Sequence, residues 1–214
     1  MKNKFLKGLV ASFALAFVGI ANAGLIIGAV DIDASSPEVS VDYSSLDAII
    51  DQSGLSNSYI SGVTDFSSFV GATTASYDFS DPEELGGVLG LGSIYFDLGD
   101  IFNVDSIAIW GQNGTATLTS YALYASDTFG SSGTRTLIGN FLASSGPNAV
   151  SHNFISVNTQ YLEIDVLANQ GYSSTRVNEI AFGGNHISVP EPSTLAIFAL
   201  GLMGLASRKI KKQA

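Results

Sequence analysis

The chain has 214 residues, no cysteine, and 9 Lys+Arg against 19 Asp+Glu, for a formal net charge of −10. Without cysteine there are no disulfides, no thiolate nucleophile and no cysteine-bound zinc. The charge is uneven: from Gly24 to Val189 only Arg135 and Arg176 are basic, against eighteen acids, a net charge of about −16. A field of that sign repels nucleic acid and anionic lipid and attracts cations, so nucleic-acid binding is excluded first.

In chain order, residues 1–23 have the three parts of a secretory signal peptide. Lys2, Lys4 and Lys7 form the basic start, Leu9–Ile20 is an apolar run, and Ala21-Asn22-Ala23 is a small-x-small cleavage site. The run is shorter than the ~20 apolar residues of a membrane span, which favours removal. Cleavage is expected after Ala23, leaving Gly24 as the first residue.

Residues 24–184 are expected to form one all-β domain, an antiparallel β-sandwich. Leu46–Asp51 lies in the one short helix the pattern suggests, Ser45–Asp51, capped by Ser44. Ile94, Phe96 and Leu98 alternate with Ser93, Tyr95 and Asp97, and Leu162, Ile164 and Val166 alternate with Tyr161, Glu163 and Asp165. Tyr121, Leu123 and Ala125 alternate with Ala122 and Tyr124. A period of two with one polar face marks half-buried antiparallel strands. Further strands are expected at Val104–Trp110, Thr136–Leu142, Ala149–Ile155 and Val177–Phe182. Turn residues such as Asn113-Gly114 and Gly130-Ser131-Ser132-Gly133 separate them. The run Gly86–Gly92 has no lysine and follows Asp81, Glu83 and Glu84, so it reads as a flexible connector and not a phosphate loop.

The C-terminal end has its own order. A linker, residues 185–194, carries Pro190-Glu191-Pro192. Two prolines make it stiff, extended and unfit for a sheet interior. Residues 195–207 form a short apolar, transmembrane-like segment, and residues 208–214 hold Arg208, Lys209, Lys211 and Lys212. By the positive-inside rule that basic tail stays cytoplasmic and the globular part lies outside. Pro-Glu-Pro, a hydrophobic helix and a basic cluster, in this order, resemble the PEP-CTERM sorting signal. The resemblance implies an exosortase as processing partner, after the secretion machinery and a transient stay in the inner membrane. It also implies a Gram-negative bacterium that makes exopolysaccharide, with the protein ending on the cell surface or in the matrix. Pro190, Glu191 and Pro192 are then an address and not a catalytic group.

The domain carries a second resemblance. Leu46-Asp47-Ala48-Ile49-Ile50-Asp51, Ile94-Tyr95-Phe96-Asp97-Leu98-Gly99 and Val177-Asn178-Glu179-Ile180-Ala181-Phe182 stand in the order of a discoidin, or coagulation-factor type C, domain. That implies a jelly-roll, galactose-binding-like fold. The Asp51-Gln52-Ser53-Gly54 segment departs from the family's direct Asp-Gly. Carried over residue by residue, the family's structural calcium would be held by Asp51, Ser56 and Glu179, a hard cation taking six to eight oxygens. Glycan-binding candidates are Trp110, Tyr172 and Arg176, because sugars stack on aromatic faces and Arg donates to hydroxyls. Large aromatics are usually buried, which weighs against Trp110.

Catalysis has no pattern to stand on. His152 lies in an expected strand, His186 near the linker, and neither sits in a zinc or triad motif. The expectation is a non-enzymatic, exported protein that binds carbohydrate or adheres within an exopolysaccharide or biofilm matrix. Its rivals are a purely structural matrix protein and a secreted glycan hydrolase.

Overall fold

A computed structural model describes residues 24–34, 46–75, 88–89, 92–111, 117–171 and 175–187. The signal peptide, linker residues 188–194 with Pro-Glu-Pro, the apolar segment, the basic tail, Asn113-Gly114 and Tyr172 lie outside the described residues.

Within them the chain forms strands β1 (Leu25–Ile27), β2 (Asp31–Ala34), β3 (Val88–Leu89), β4 (Ser93–Gly111), β5 (Leu118–Ser126), β6 (Arg135–Leu142), β7 (Val150–Asn169) and β8 (Thr175–His186). A helix, α1 (Phe66–Ala72), and a 3-10 turn at Leu46–Ile49 complete the described elements. Every strand pairing is antiparallel. The main order is β1-β8-β4-β7-β5-β6, with β2 added to β4 and β3 to β8.

Two long strands make this sheet a sandwich. β4 has 19 residues and β7 has 20. Their pairing runs Ser93–Asp97 with Tyr161–Asp165, breaks, then resumes from Phe102 with Thr159. The break lies at Gly99, whose φ of 82° suits glycine and whose N–H donates to Asp97 Oδ1 at 2.7 Å. Past it the register is shifted and the strand heads into the other layer. The first half of β4 pairs with β2 and the second half of β7; the second half of β4 pairs with β8.

The alternation read from the sequence sets which residues fill the space between the layers. Ile94, Phe96, Leu98, Leu162, Ile164, Tyr121 and Leu123 point inward, as do Ile107, Ile109, Ile180 and Phe182 from the other layer. Phe96 and Phe182 meet edge to face, 5.3 Å between centroids, joining the two halves. A second apolar cluster lies on the outer face of the β8 layer. There Ile26, Ala108, Trp110 and Ala181 are covered by Tyr59, Phe66 and Phe69. The helix that supplies the cover starts at Asp65, whose carboxylate accepts from Ser68 N–H at 2.8 Å.

The all-β sandwich expected from the sequence is the fold observed. Four expected strands merge into two: Ile94–Leu98 with Val104–Trp110, and Ala149–Ile155 with Leu162–Val166. Of the expected helix Ser45–Asp51, Ser45 and its cap Ser44 lie outside the described residues, and Leu46–Ile49 form a 3-10 turn, too short to sustain an α-helix by itself. Within the expected connector, Val88 and Leu89 pair with Arg176 and Thr175. β8 runs to His186, beyond Gly184.

Candidate functional site

The resemblance implied a site of Asp51, Ser56 and Glu179; in the structure it is Gln52, the residue after Asp51, that reaches Glu179. The loop after the 3-10 turn folds onto β8. Gln52, at φ 67°, donates its N–H to Glu179 Oε2 at 2.9 Å, and the Tyr59 hydroxyl lies 3.3 Å from Oε1. The Gln52 side chain accepts from Tyr59 N–H at 2.7 Å, which fixes the loop. Glu179 is fully buried. Burial pushes its carboxyl up to about 9, against the opposing pull of the Gln52 and Tyr59 hydrogen bonds and with a further push from Asp51. Burial, followed by the Glu179 charge, raises the Tyr59 phenol as well. Ser56 is turned away: its hydroxyl accepts from Thr74 N–H at 3.0 Å and lies 3.2 Å from the Thr74 hydroxyl. Among the described residues no three His, Asp or Glu side chains converge. Asp51, beside this loop, is exposed, and its Oδ1 accepts from Ser53 N–H at 2.8 Å.

The glycan candidates fare differently. Trp110 is fully buried, with its indole N–H donated to Thr73 C=O at 3.1 Å. Phe69 packs on it edge to face at 6.0 Å. This corrects the expectation of a stacking platform, because neither face of the ring can reach a sugar. Arg176 is half-buried in β8, paired through its backbone with Val88 of β3.

A site the sequence reading missed lies on the outer face of the β5 layer. The row Tyr95–Glu163–Tyr124 crosses β4, β7 and β5, and beside it runs Ser93–Asp165–Ala122. Their inward neighbours fill the core, so these side chains face outward. Arg135, the first residue of β6, reaches over them. Its Nη1 donates to Glu163 Oε1 and to Asp165 Oδ2, the latter at 2.9 Å. Its guanidinium carbon stands 4.2 Å above the Tyr124 ring. Ser93 Oγ donates to Asp165. The β5–β6 loop closes over this face: Thr134 N–H donates to Asp127 Oδ1 at 2.8 Å, and Phe129 lies on Tyr161 at 6.2 Å. Between loop and sheet is a cavity of about 340 Å³ lined by Ser93, Tyr95, Ser131, Arg135, Glu163 and loop glycines.

The electrostatics follow from burial. The Glu163 side chain is 6% exposed and that of Arg135 41%. Burial raises the Glu163 carboxyl, and Arg135 offsets part of that. Hydrogen bonding to Asp165 holds the Arg135 charge more firmly still. The result is a floor of fixed acceptors with an Arg donor at its edge, under a loop rich in serine and glycine. Such a lining can hydrogen-bond a small polyhydroxylated ligand. Glu163 and Asp165 both close on one nitrogen of Arg135.

Comparison with known proteins adds two findings. Residues 188–212 match the PEP-CTERM protein-sorting motif. No curated protein sequence matches the chain. Among solved structures, the chain is similar to the family 32 CBM from C. perfringens NanJ in complex with galactose. That likeness has 16% identity, a TM-score of 0.49, and covers 75% of this chain and 98% of that one. The chain is also similar to the CBM32 of AlyQ in complex with 4,5-unsaturated mannuronic acid, at 14% identity and TM-score 0.46, covering 74% and 97%.

Proposed function

We propose that this protein is exported, processed at its tail by an exosortase, and displays a non-enzymatic sandwich domain that binds carbohydrate of the extracellular matrix. The sorting motif at residues 188–212 supports export and surface display. The observation that carries the binding reading is the cavity under the β5–β6 loop, lined by Ser93, Tyr95, Ser131, Arg135 and Glu163, with Arg135 and Ser93 held in place by the adjacent Asp165. Preorganised polar groups bind hydroxyls without the entropy cost of gathering them. A calcium ion at Glu179 and Asp51 belongs to the same proposal as a structural element. It would supply the counter-charge that a buried carboxylate beside a second carboxylate otherwise lacks.

The test is a glycan array probed with the mature protein and with Ser131→Trp. Ser131 is exposed in the loop, so the indole can occupy the cavity without disturbing the core. Saccharide binding by the parent and its loss in the variant is the expected result. An array with no hits would leave the purely structural reading in its place. New reducing ends on a bound glycan would favour the hydrolase.

A further inference from the structure

We propose that a cavity between β4 and α1 is a seat for the chain's own mature N-terminus. Cleavage after Ala23 creates an α-ammonium at Gly24 that pairs with Asp105, so the sandwich reaches full stability only once the signal peptide has gone. This goes beyond the carbohydrate reading and rests on the cleavage expected after Ala23.

Gly24 enters the fold already fixed. Its C=O accepts from Phe66 N–H at 2.8 Å, and the next residue, Leu25, pairs with Gly184 of β8 on one side and with Asp65 on the other. The Gly24 nitrogen is thereby held in one place, with little ordering left to oppose an interaction there. That place is the edge of a cavity of about 310 Å³, which Gly24 shares with Phe66, Asp105 and Asn153. A β-carbon on Gly24 would stand 3.8 Å from Asp105 Oδ1. At standard bond lengths this puts the Gly24 nitrogen within about 6 Å of that oxygen, a distance that a turn of the Asp105 side chain closes.

Asp105 is aimed at the terminus by a bulge. Both ladders of β4 shift register between Val104 and Ser106, so Asp105 pairs with neither β7 nor β8. A bulge of this kind re-aims a side chain, and here the half-buried carboxylate faces the first residue of the mature chain. Its one side-chain partner among the described residues is the Ser106 hydroxyl, at 2.9 Å. The domain has few cations to offer it. Arg135 is bound to Glu163 and Asp165. Arg176 lies on β8 well before Gly183, the residue opposite Ser106, about 20 Å away along the strand. The α-ammonium is the one further positive charge of the mature domain at neutral pH, and the fold delivers it to Asp105. In the precursor the same nitrogen is an uncharged amide, so the pair is absent until the signal peptide is removed. The domain is then easier to unfold before export and tightens at its destination.

The experiment uses the exported, tail-processed protein. Every lysine lies before Gly24 or after Arg208, so the α-amine is its only amine. N-terminal sequencing first establishes that Gly24 leads; a different first residue removes the cleavage reading and the inference with it. Acetylation of the amine at neutral pH then abolishes its charge. The acetylated protein should melt about 2–4 °C below the free one, and the same treatment of Asp105→Asn should shift melting by less than half as much. The gap in the parent should close by about pH 10. An ammonium paired in the folded state keeps its proton above the ordinary value of about 8, and its contribution is full below that value and lost as pH rises through the folded one. The other titratable groups near the terminus are Asp65, which caps α1 through Ser68, and His186, stacked on Phe102 at 4.4 Å. Both are present in parent and Asp105→Asn alike, so the difference between the two isolates Asp105. Equal losses on acetylation in parent and variant, or no loss in either, overturn the inference and leave the cleavage reading intact. If Asp105→Asn melts too early to compare, the α-amine is titrated in the folded parent and in the same chain in denaturant, in about 1 M salt to screen the acidic domain. A higher value in the folded chain supports the pair, and an equal or lower one overturns it.

Discussion

Single side chains in this domain show how burial sets the cost of a polar atom. Tyr121 is fully buried, packed on Phe141 at 5.5 Å, and its hydroxyl has no hydrogen-bond partner among the described residues. Burial alone raises its phenol. A buried hydroxyl without a partner costs about 1–3 kcal/mol, and the ring does not need it for packing. Tyr121→Phe is therefore expected to leave the melting temperature unchanged or to raise it by a few degrees. A loss of several degrees would mean the hydroxyl has a role that the packing does not reveal. Arg135 is the reverse case. It was legible as one of two basic residues in the domain, and Glu163 and Asp165 were legible as outward neighbours on one strand. Their meeting was not, because it depends on β6 lying beside β5 and on the register that sets Ser126 opposite Arg135.

At the scale of elements, the period-two pattern located the strands and their inward faces, but not their ends. The halves of β4 look like separate strands because the period-two alternation of Ile94–Leu98 does not continue through Gly99–Asn103. That stretch shifts the register of the ladder without ending the strand. Gly183 and Gly184 similarly read as the edge of the domain, yet both lie inside β8. A side chain there has no room: a β-carbon on Gly184 would stand 2.3 Å from the Asn103 carbonyl oxygen, and one on Gly183 would stand 2.8 Å from the Phe66 ring. Glycine in this strand marks close approach by β4 and α1. Gly184→Ala should destabilise by about 1–3 kcal/mol, because the obstacle is backbone and cannot rotate away. That corresponds to a melting-temperature drop of about 2–12 °C, and an unchanged melting curve would contradict the packing described. Helix α1 escaped the sequence reading since Phe66 and Phe69 are its only buried residues, too few to display a helical period.

For the whole molecule, the decisive contact joins the start of the domain to its closing strand, where the loop at Gln52 and Tyr59 meets Glu179. The family resemblance named Asp51 and Glu179 together although they lie far apart in sequence, and the loop after Asp51 does meet Glu179, through Gln52 and Tyr59. It could not reveal that the Gln52 N–H and the Tyr59 hydroxyl already occupy the carboxyl, or that Ser56 serves Thr74. The arrangement has a definite pH signature. In the unfolded chain Glu179 ionises near its ordinary value of 4.5, and in the folded domain only near about 9. Between these values the folded state holds a proton that the unfolded state has released, so stability falls as pH rises through the window. Below it the carboxyl is neutral in both states and costs nothing. At pH 7 the loss is at most about 3 kcal/mol. Glu179→Gln should flatten this slope, since its amide can accept from Gln52 and donate to the Tyr59 oxygen. Calcium acts on the same group with the opposite pH dependence, because a metal binds the carboxylate and must displace the proton. With free calcium at about 100 times its dissociation constant, the gain is about 2.7 kcal/mol, or about 5–10 °C in melting temperature. That gain should be present at about pH 8 and vanish at about pH 4, below the window. Melting curves across pH, with calcium and with magnesium at matched ionic strength, measure both effects at once. The calcium proposal fails if the two metals act alike or if Glu179→Gln responds as the parent does. The reading of Glu179 as a buried, proton-holding acid fails if metal-free stability does not decline between pH 5 and 9.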